Sequence, residues 1–165
     1  MTRRRSKAQY GMTLVELMVA VALVAILLAL SAWGLGGPIG EERLRSAARL
    51  LVSHLEEAKM LAREKGIDHA VIFNPNNREY RVFRDSNEDG NLEDGETVVR
   101  TVQLPEEVTF SENTLPVNAS SWRCLRFGSR GRPRGELGTI TVRSKSDSEM
   151  TVSVNLLGRL KVESK

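Results

Sequence analysis

Three regimes of hydrophobic patterning follow one another along the chain. From Leu17 to Gly40 there is no charged residue, and the stretch LMVAVALVAILLALSAW is apolar apart from Ser31. Such a run predicts a helix buried in protein or in a membrane, and its length bears on the choice. Met12 to Trp33 is 22 residues, roughly 33 Å of helix at 1.5 Å per residue, against a hydrocarbon core of about 30 Å. The segment is long enough to cross a bilayer. Gly34, Gly36, Gly37, Pro38 and Gly40 then predict a hinge or helix break, because both residue types disfavour helix interiors. From Glu41 the apolar positions Leu44, Ala48, Leu51, Leu55, Ala58 and Ala62 recur at steps of three and four. That spacing predicts an amphipathic helix ending near Gly66, with one face packed and the other charged.

After Gly66 the period changes. The short runs AVIF, YRVF, TVVRTV, RCLRF, TITV and TVSV alternate with turns rich in Asn, Pro, Gly and charge, the pattern of antiparallel strands. The predicted fold is α+β: a long N-terminal helix, its first part transmembrane, packed on a C-terminal antiparallel β-rich domain. The boundaries fall at 1–11 for a basic leader, 12–33 for the membrane helix, 34–66 for the hinge and amphipathic helix, and 67–165 for the β-rich domain. A length of 165 residues accommodates one ordinary domain plus an anchor, and not two full domains.

Charge changes the picture only at the N-terminus. The formal charge is +3, but Arg3, Arg4, Arg5 and Lys7 hold four of the 24 basic residues, which leaves 20 against 21 acids beyond Gly11. Basic residues immediately before an apolar span place the N-terminus in the cytoplasm and the rest of the chain across the membrane. The domain is therefore expected outside the cytoplasm. Cys124, the lone cysteine, excludes an internal disulfide and leaves the redox compartment open.

An ordinary secretory signal would have an apolar core of about 7–15 residues before a small-residue cleavage site, and this core is longer. It also contains Glu16, and a carboxylate at membrane depth costs about 2.5–3.5 kcal/mol or more unless something compensates for it. One compensation is local: Thr13-x-x-Glu16 has the capping-box spacing that satisfies the free amides of a helix start. Another is pairing with a cation. The stretch Gly11-Met12-Thr13-Leu14-Val15-Glu16-Leu17-Met18-Val19, after a short basic leader and before an apolar run, resembles the class III signal of type IV pilins and type II secretion pseudopilins. The resemblance implies cleavage by a prepilin peptidase between Gly11 and Met12 and methylation of the new N-terminal Met12. It also implies that Glu16 meets the N-terminal amine of a neighbouring subunit in a filament. Met12 stands where phenylalanine is usual in that family, and Trp33 where many members have a helix-bending proline. The order of elements, with Phe127–Arg132 and Val154–Val162, is similar to the GspH/FimT-type pseudopilins, which share a leader, one long helix, a β-rich domain and a terminal strand of G-R-x-basic type. That family implies a protein of the inner membrane, single-pass with its domain in the periplasm, assembled with other pilins into a pseudopilus or pilus.

Two further groups of residues bear on chemistry. Asp85-x-Asn87-x-Asp89-Gly90-x5-Glu96 fits the calcium loop of an EF-hand, in which alternating oxygens surround Ca2+ and glycine permits the sharp turn. The predicted ligands are the side chains of Asp85, Asn87, Asp89 and Glu96 with the carbonyl of Asn91. The flanks are strand-like where an EF-hand has helices, so a polar hairpin loop accounts for the same residues. Arg123, Arg126, Arg130, Arg132 and Arg134 lie within twelve residues that contain no acid, followed by Arg143, Arg159 and Lys161. Such a cluster can neutralise phosphates, or form a solvated or partner-binding face. Some FimT-like minor pilins bind DNA through C-terminal arginines during uptake, and the resemblance implies that role for Arg159 and Lys161, with Arg130, Arg132 and Arg134 as further candidates.

No catalytic motif is present: no G-x-S-x-G, P-loop or H-E-x-x-H, and no histidine partnered with Cys124 by motif. His54 and His69 read as ordinary structural histidines. Three functions remain: a minor subunit of a secretion or pilus filament, a minor pilin that binds DNA, and, formally, an anchored enzyme.

Overall fold

The computed structural model describes residues 13–33, 36–74, 76, 78–135 and 137–164, with the side chains of residues 30–39 left aside. Residues 1–37 and 38–165 form two separate units.

In the first unit, α1 (Leu14–Trp33) is a helix with glutamate in its first turn. Thr13 opens it. The Leu17 amide donates to the Thr13 carbonyl, the Glu16 amide donates to Thr13 Oγ1, and the Thr13 amide donates back to Glu16 Oε2. The capping box read from the sequence is thus formed, satisfying donors that a helix start otherwise leaves without partners. Of the described side chains that follow, from Leu14 to Leu28, all but Glu16 are apolar, and all are exposed. A helix with no polar face belongs inside a bilayer or a packed assembly. Among the described residues no helix is long and apolar enough to cross a membrane. The 12–33 span expected from the sequence starts at Met12 and includes the side chains of 30–33, which lie outside the described set, as does the leader 1–11.

The second helix begins earlier than the glycine-rich sequence suggests. α2 runs from Gly36 to Lys65, not from Glu41, so the expected break through Gly40 is a helix over 36–40. Pro38 falls in the first turn, where an amide has no intrahelical partner to lose. The helix ends where predicted. Gly66 adopts φ +67° and donates to the Ala62 carbonyl, a left-handed cap that only glycine adopts without strain.

The buried stripe of α2, Leu44, Ala47, Ala48, Leu51, Leu55, Ala58 and Ala62, faces two antiparallel sheets. The first has the order β3 (Val98–Gln103), β2 (Glu79–Arg84), β1 (His69–Asn74), β5 (Arg123–Phe127) and β6 (Pro133–Arg134). The second has the order β4 (Val108–Asn113), β7 (Thr139–Ser144), β8 (Glu149–Val154) and β9 (Leu160–Ser164). Each of the six sequence runs becomes a strand, and they divide between the two sheets. The alanines of α2 let both sheets approach the helix. Val71, Phe73, Tyr80, Val82, Leu125 and Phe127 from the first sheet join Val108, Ile140, Val142, Val152 and Val154 from the second in a single core. Phe73 and Phe110 meet edge to face across the two sheets with ring centroids 5.7 Å apart. The period of two on β1 and β2 sends Ala70, Ile72 and Phe83 to the opposite face, where with Cys124 they are covered by Leu92 and Trp122. The 85–96 loop therefore roofs a second, smaller core.

Candidate functional sites

The loop between β2 and β3 is built around Asp85, which is fully buried. Its Oδ1 accepts from the Asp89 amide and its Oδ2 from the Gly90 amide, both at 3.1 Å. Asp89 Oδ1 accepts from the Asn91 amide at 2.7 Å. Glu96 accepts from the amides of Ser86 and Glu93, and Asn87 Oδ1 from that of Asp89. Gly90, at φ +75°, turns the chain where a Cβ would come within 3.0 Å of Cys124 Sγ. Asn118 and the Ala119 amide hold the loop from outside through the Gly90 carbonyl and Asn91 Oδ1. The side chains expected to bind calcium, Asp85, Asn87, Asp89 and Glu96, lie in one loop with Asn91, and in this structure they accept from the loop's own amides. Among the described residues no three His, Cys, Asp or Glu gather as a metal site requires. Burial raises the Asp85 carboxyl above its ordinary value, against the pull of the Gly90 amide. Burial also pushes the Cys124 thiol up to about 12, which leaves it unreactive as a nucleophile.

The arginines separate into two groups. Arg134 lies 2.8 Å from Asp68 Oδ2, off the line of a hydrogen bond, and 2.5 Å from Glu88. The Ser129 amide donates to the other oxygen of Asp68, so this buried carboxylate ties the β5–β6 turn to the start of β1. Burial raises the Asp68 carboxyl and Arg134 opposes the shift. Arg126 donates to the Glu88 carbonyl, Arg123 to the Leu115 carbonyl, Arg143 pairs with Glu149 and Lys161 with Glu163. These cations are structural or paired. Of the predicted phosphate-binding set, Arg134 and Lys161 are therefore engaged within the chain.

Arg130, Arg132 and Arg159 differ: their side chains are exposed and have no hydrogen-bond or ion-pair partner among the described residues. Two turns bring them together. A Cβ on Gly158 (φ +71°) would stand 2.8 Å from the Gly131 carbonyl, and one on Gly131 (φ +72°) would strike the Arg63 side chain. The turn after β5 and the turn after β8 are thus packed back to back, and Lys59 of α2 donates to the Gly158 carbonyl at 2.8 Å. Lys59 and Arg63 were not singled out in the sequence. Only their place on the last turns of a predicted helix marked them, and nothing local tied that helix end to residues a hundred positions away.

At the start of the chain, the Glu16 carboxylate stands at the N-terminal end of α1 against Thr13. Gly11 and Met12 lie outside the described residues.

A helix that is apolar after its first turn, followed by a second helix under antiparallel sheets, is the pilin-like α+β architecture. Residues 47–158 match the family described as type II transport protein GspH, and residues 6–32 match the prokaryotic N-terminal methylation motif. The fold is similar to that of the minor pseudopilin EpsH from the type 2 secretion system of Vibrio cholerae, at 16% identity over 74% of this chain and 97% of that one, with a TM-score of 0.57. It is also similar to the type IV minor pilin FimU of Pseudomonas aeruginosa, at 18% identity over 74% of this chain and 90% of that one, with a TM-score of 0.56. Among curated protein sequences none matches. The chain belongs to the GspH family. The matched proteins are structural pilin and pseudopilin subunits and not enzymes.

Proposed function

We propose that the protein is a minor subunit of a type II secretion or type IV pilus filament. Its leader 1–11 is removed between Gly11 and Met12 by a prepilin peptidase, and Met12 is methylated. Residues 12–33 then anchor it in the inner membrane, with the domain in the periplasm, until assembly. The observation that carries this reading is the methylation motif on a helix whose described side chains after Glu16 are apolar all round, in the same chain as a GspH domain. Glu16 supports it. Cleavage would make Thr13 the second residue, so the carboxylate held against Thr13 would stand at the new helix start, where an ammonium from an adjacent subunit can pair with it. Mass spectrometry of the protein purified from its native membrane should give an N-terminus at methylated Met12. A functional protein that keeps Arg3–Arg5 would sink the proposal.

A second reading, DNA capture during uptake, is favoured by the three exposed arginines at the Gly131–Gly158 contact. They offer phosphate contacts without first breaking ion pairs among the described residues. Binding of duplex DNA by the full chain in detergent should fall steeply with salt. Unchanged binding after joint charge reversal of Arg130, Arg132 and Arg159 would exclude this face.

A further inference from the structure

We infer that the β8–β9 turn docks on an anionic lipid surface, with Leu156 and Leu157 entering the acyl boundary and the arginines beside them meeting lipid phosphates. Turns between strands are ordinarily polar, yet these two leucines stand 77% and 60% exposed at the tip of theirs. The backbone holds them there. Asn155 Oδ1 accepts from the amides of Leu157 and Arg159 at 3.0 and 2.9 Å, the Gly158 amide donates to the Asn155 carbonyl, and Gly158 leans on Gly131. None of these contacts needs a leucine side chain. The pair is a preformed apolar tip, and seating it on a partner costs little backbone entropy.

Charge indicates what the tip faces. Arg159 follows the leucines two positions on, Arg130 and Arg132 flank them across the Gly131–Gly158 contact, and the Arg63 side chain of α2 lies against Gly131. All four arginines are exposed and none has an ion-pair or hydrogen-bond partner among the described residues. The acids on the same stretch of α2, Glu56 and Glu64, are each paired with a lysine, Lys59 at 2.9 Å and Lys65 at 2.8 Å. The free charge beside the tip is therefore positive. An apolar tip with cationic flanks matches the layering of an anionic membrane, where apolar side chains sink about 5–10 Å to the acyl boundary and basic ones stop at the headgroups. Arginine suits the flanks, because its guanidinium grips phosphate through two parallel hydrogen bonds while its stem lies along apolar surface.

The leucines separate lipid from nucleic acid as the occupant. Duplex phosphates would satisfy the arginines, but a phosphate backbone gives two exposed leucines no apolar place. A lipid surface uses both. The inference rests on the proposed function for its setting, a domain held beside the inner membrane, and adds to the anchor a second, reversible contact with lipid made by the domain itself.

The test reconstitutes the full chain, with a polarity-sensitive dye on Leu157→Cys, in vesicles of phosphatidylcholine alone or of phosphatidylcholine and phosphatidylglycerol in equal parts. Cys124 is buried and stays unlabelled. In the anionic vesicles the emission should shift to the blue, and lipids brominated in their acyl chains should quench it several-fold more than in the neutral ones. High salt should narrow that difference. The same dye on Asp147→Cys, in another turn, should report neither change. Joint charge reversal of Arg130, Arg132 and Arg159 should abolish the quenching at the labelled tip, and Leu156→Ser should weaken it. Quenching that is absent from anionic vesicles, equal on Asp147→Cys, or indifferent to both sets of substitutions overturns the inference. So does a tip whose emission moves with duplex DNA and not with anionic lipid. Normal cleavage after Gly11 in a chain that fails this test would leave the filament reading standing while the lipid contact fell.

Discussion

At the scale of the residue, Asp85 holds its loop closed. Its spacing to Asn87, Asp89 and Glu96 fits a metal loop, and in the structure these carboxylates accept from the loop's own amides. The amides of Asp89 and Gly90 depend on it, so Asp85→Ala should cost about 1–3 kcal/mol per donor left without a partner, read as a lower midpoint in urea unfolding. Asp85→Asn keeps one acceptor oxygen and should cost less. The raised carboxyl sets the sign of the pH dependence. Between its ordinary value of 3.8 and the higher native one, the folded state holds a proton that the unfolded state has released. Wild type should therefore lose stability relative to Asp85→Asn as pH rises through that window, in parallel denaturation curves. Calcium titration tests the loop as a cation site: a rise in the melting temperature of wild type at millimolar calcium supports it, and no shift removes it.

At the scale of the element, period carried most of the information. The three- and four-residue recurrence placed the body of α2 and its buried stripe, and Gly66 ended it. The six apolar runs became strands because alternation there is strong. β4, with the sequence VTFSEN, and the two-residue β6 escaped notice because they hold few apolar positions and owe their pairing to neighbours distant in sequence. The division into two sheets was equally hidden, since it depends on which strands pair and not on their pattern. Leu55→Ala should cost about 2–5 kcal/mol as a buried core truncation, whereas Leu50→Ala, half exposed, should change stability little; chemical denaturation of both variants compares them directly. Gly158→Ala places a Cβ in the left-handed region and against the Gly131 carbonyl. It should cost about 1–3 kcal/mol, visible as a fall in melting temperature.

At the scale of the whole molecule, every residue of the main core lies between Leu44 and Val154, inside the unit 38–165. A chain starting at Pro38 should therefore unfold in one cooperative step at a temperature close to that of the full chain, as circular dichroism would show. The anchor and the domain were legible separately because each has its own hydrophobic period. The meeting of Lys59 and Arg63 with the turns at Gly131 and Gly158 was not, because only the packing of those two turns against the helix creates it. The capping box at Thr13 and Glu16 was legible, since four consecutive residues determine it.

The thiol beneath the Gly90 turn has a practical use. A labelling reagent can reach Cys124 Sγ only when the roof above it lifts, and lifting it also removes the burial that holds the thiol protonated. In an otherwise thiol-free chain, the rate of modification at alkaline pH becomes a clock that counts excursions of one surface loop, separately from the unfolding of the body beneath it.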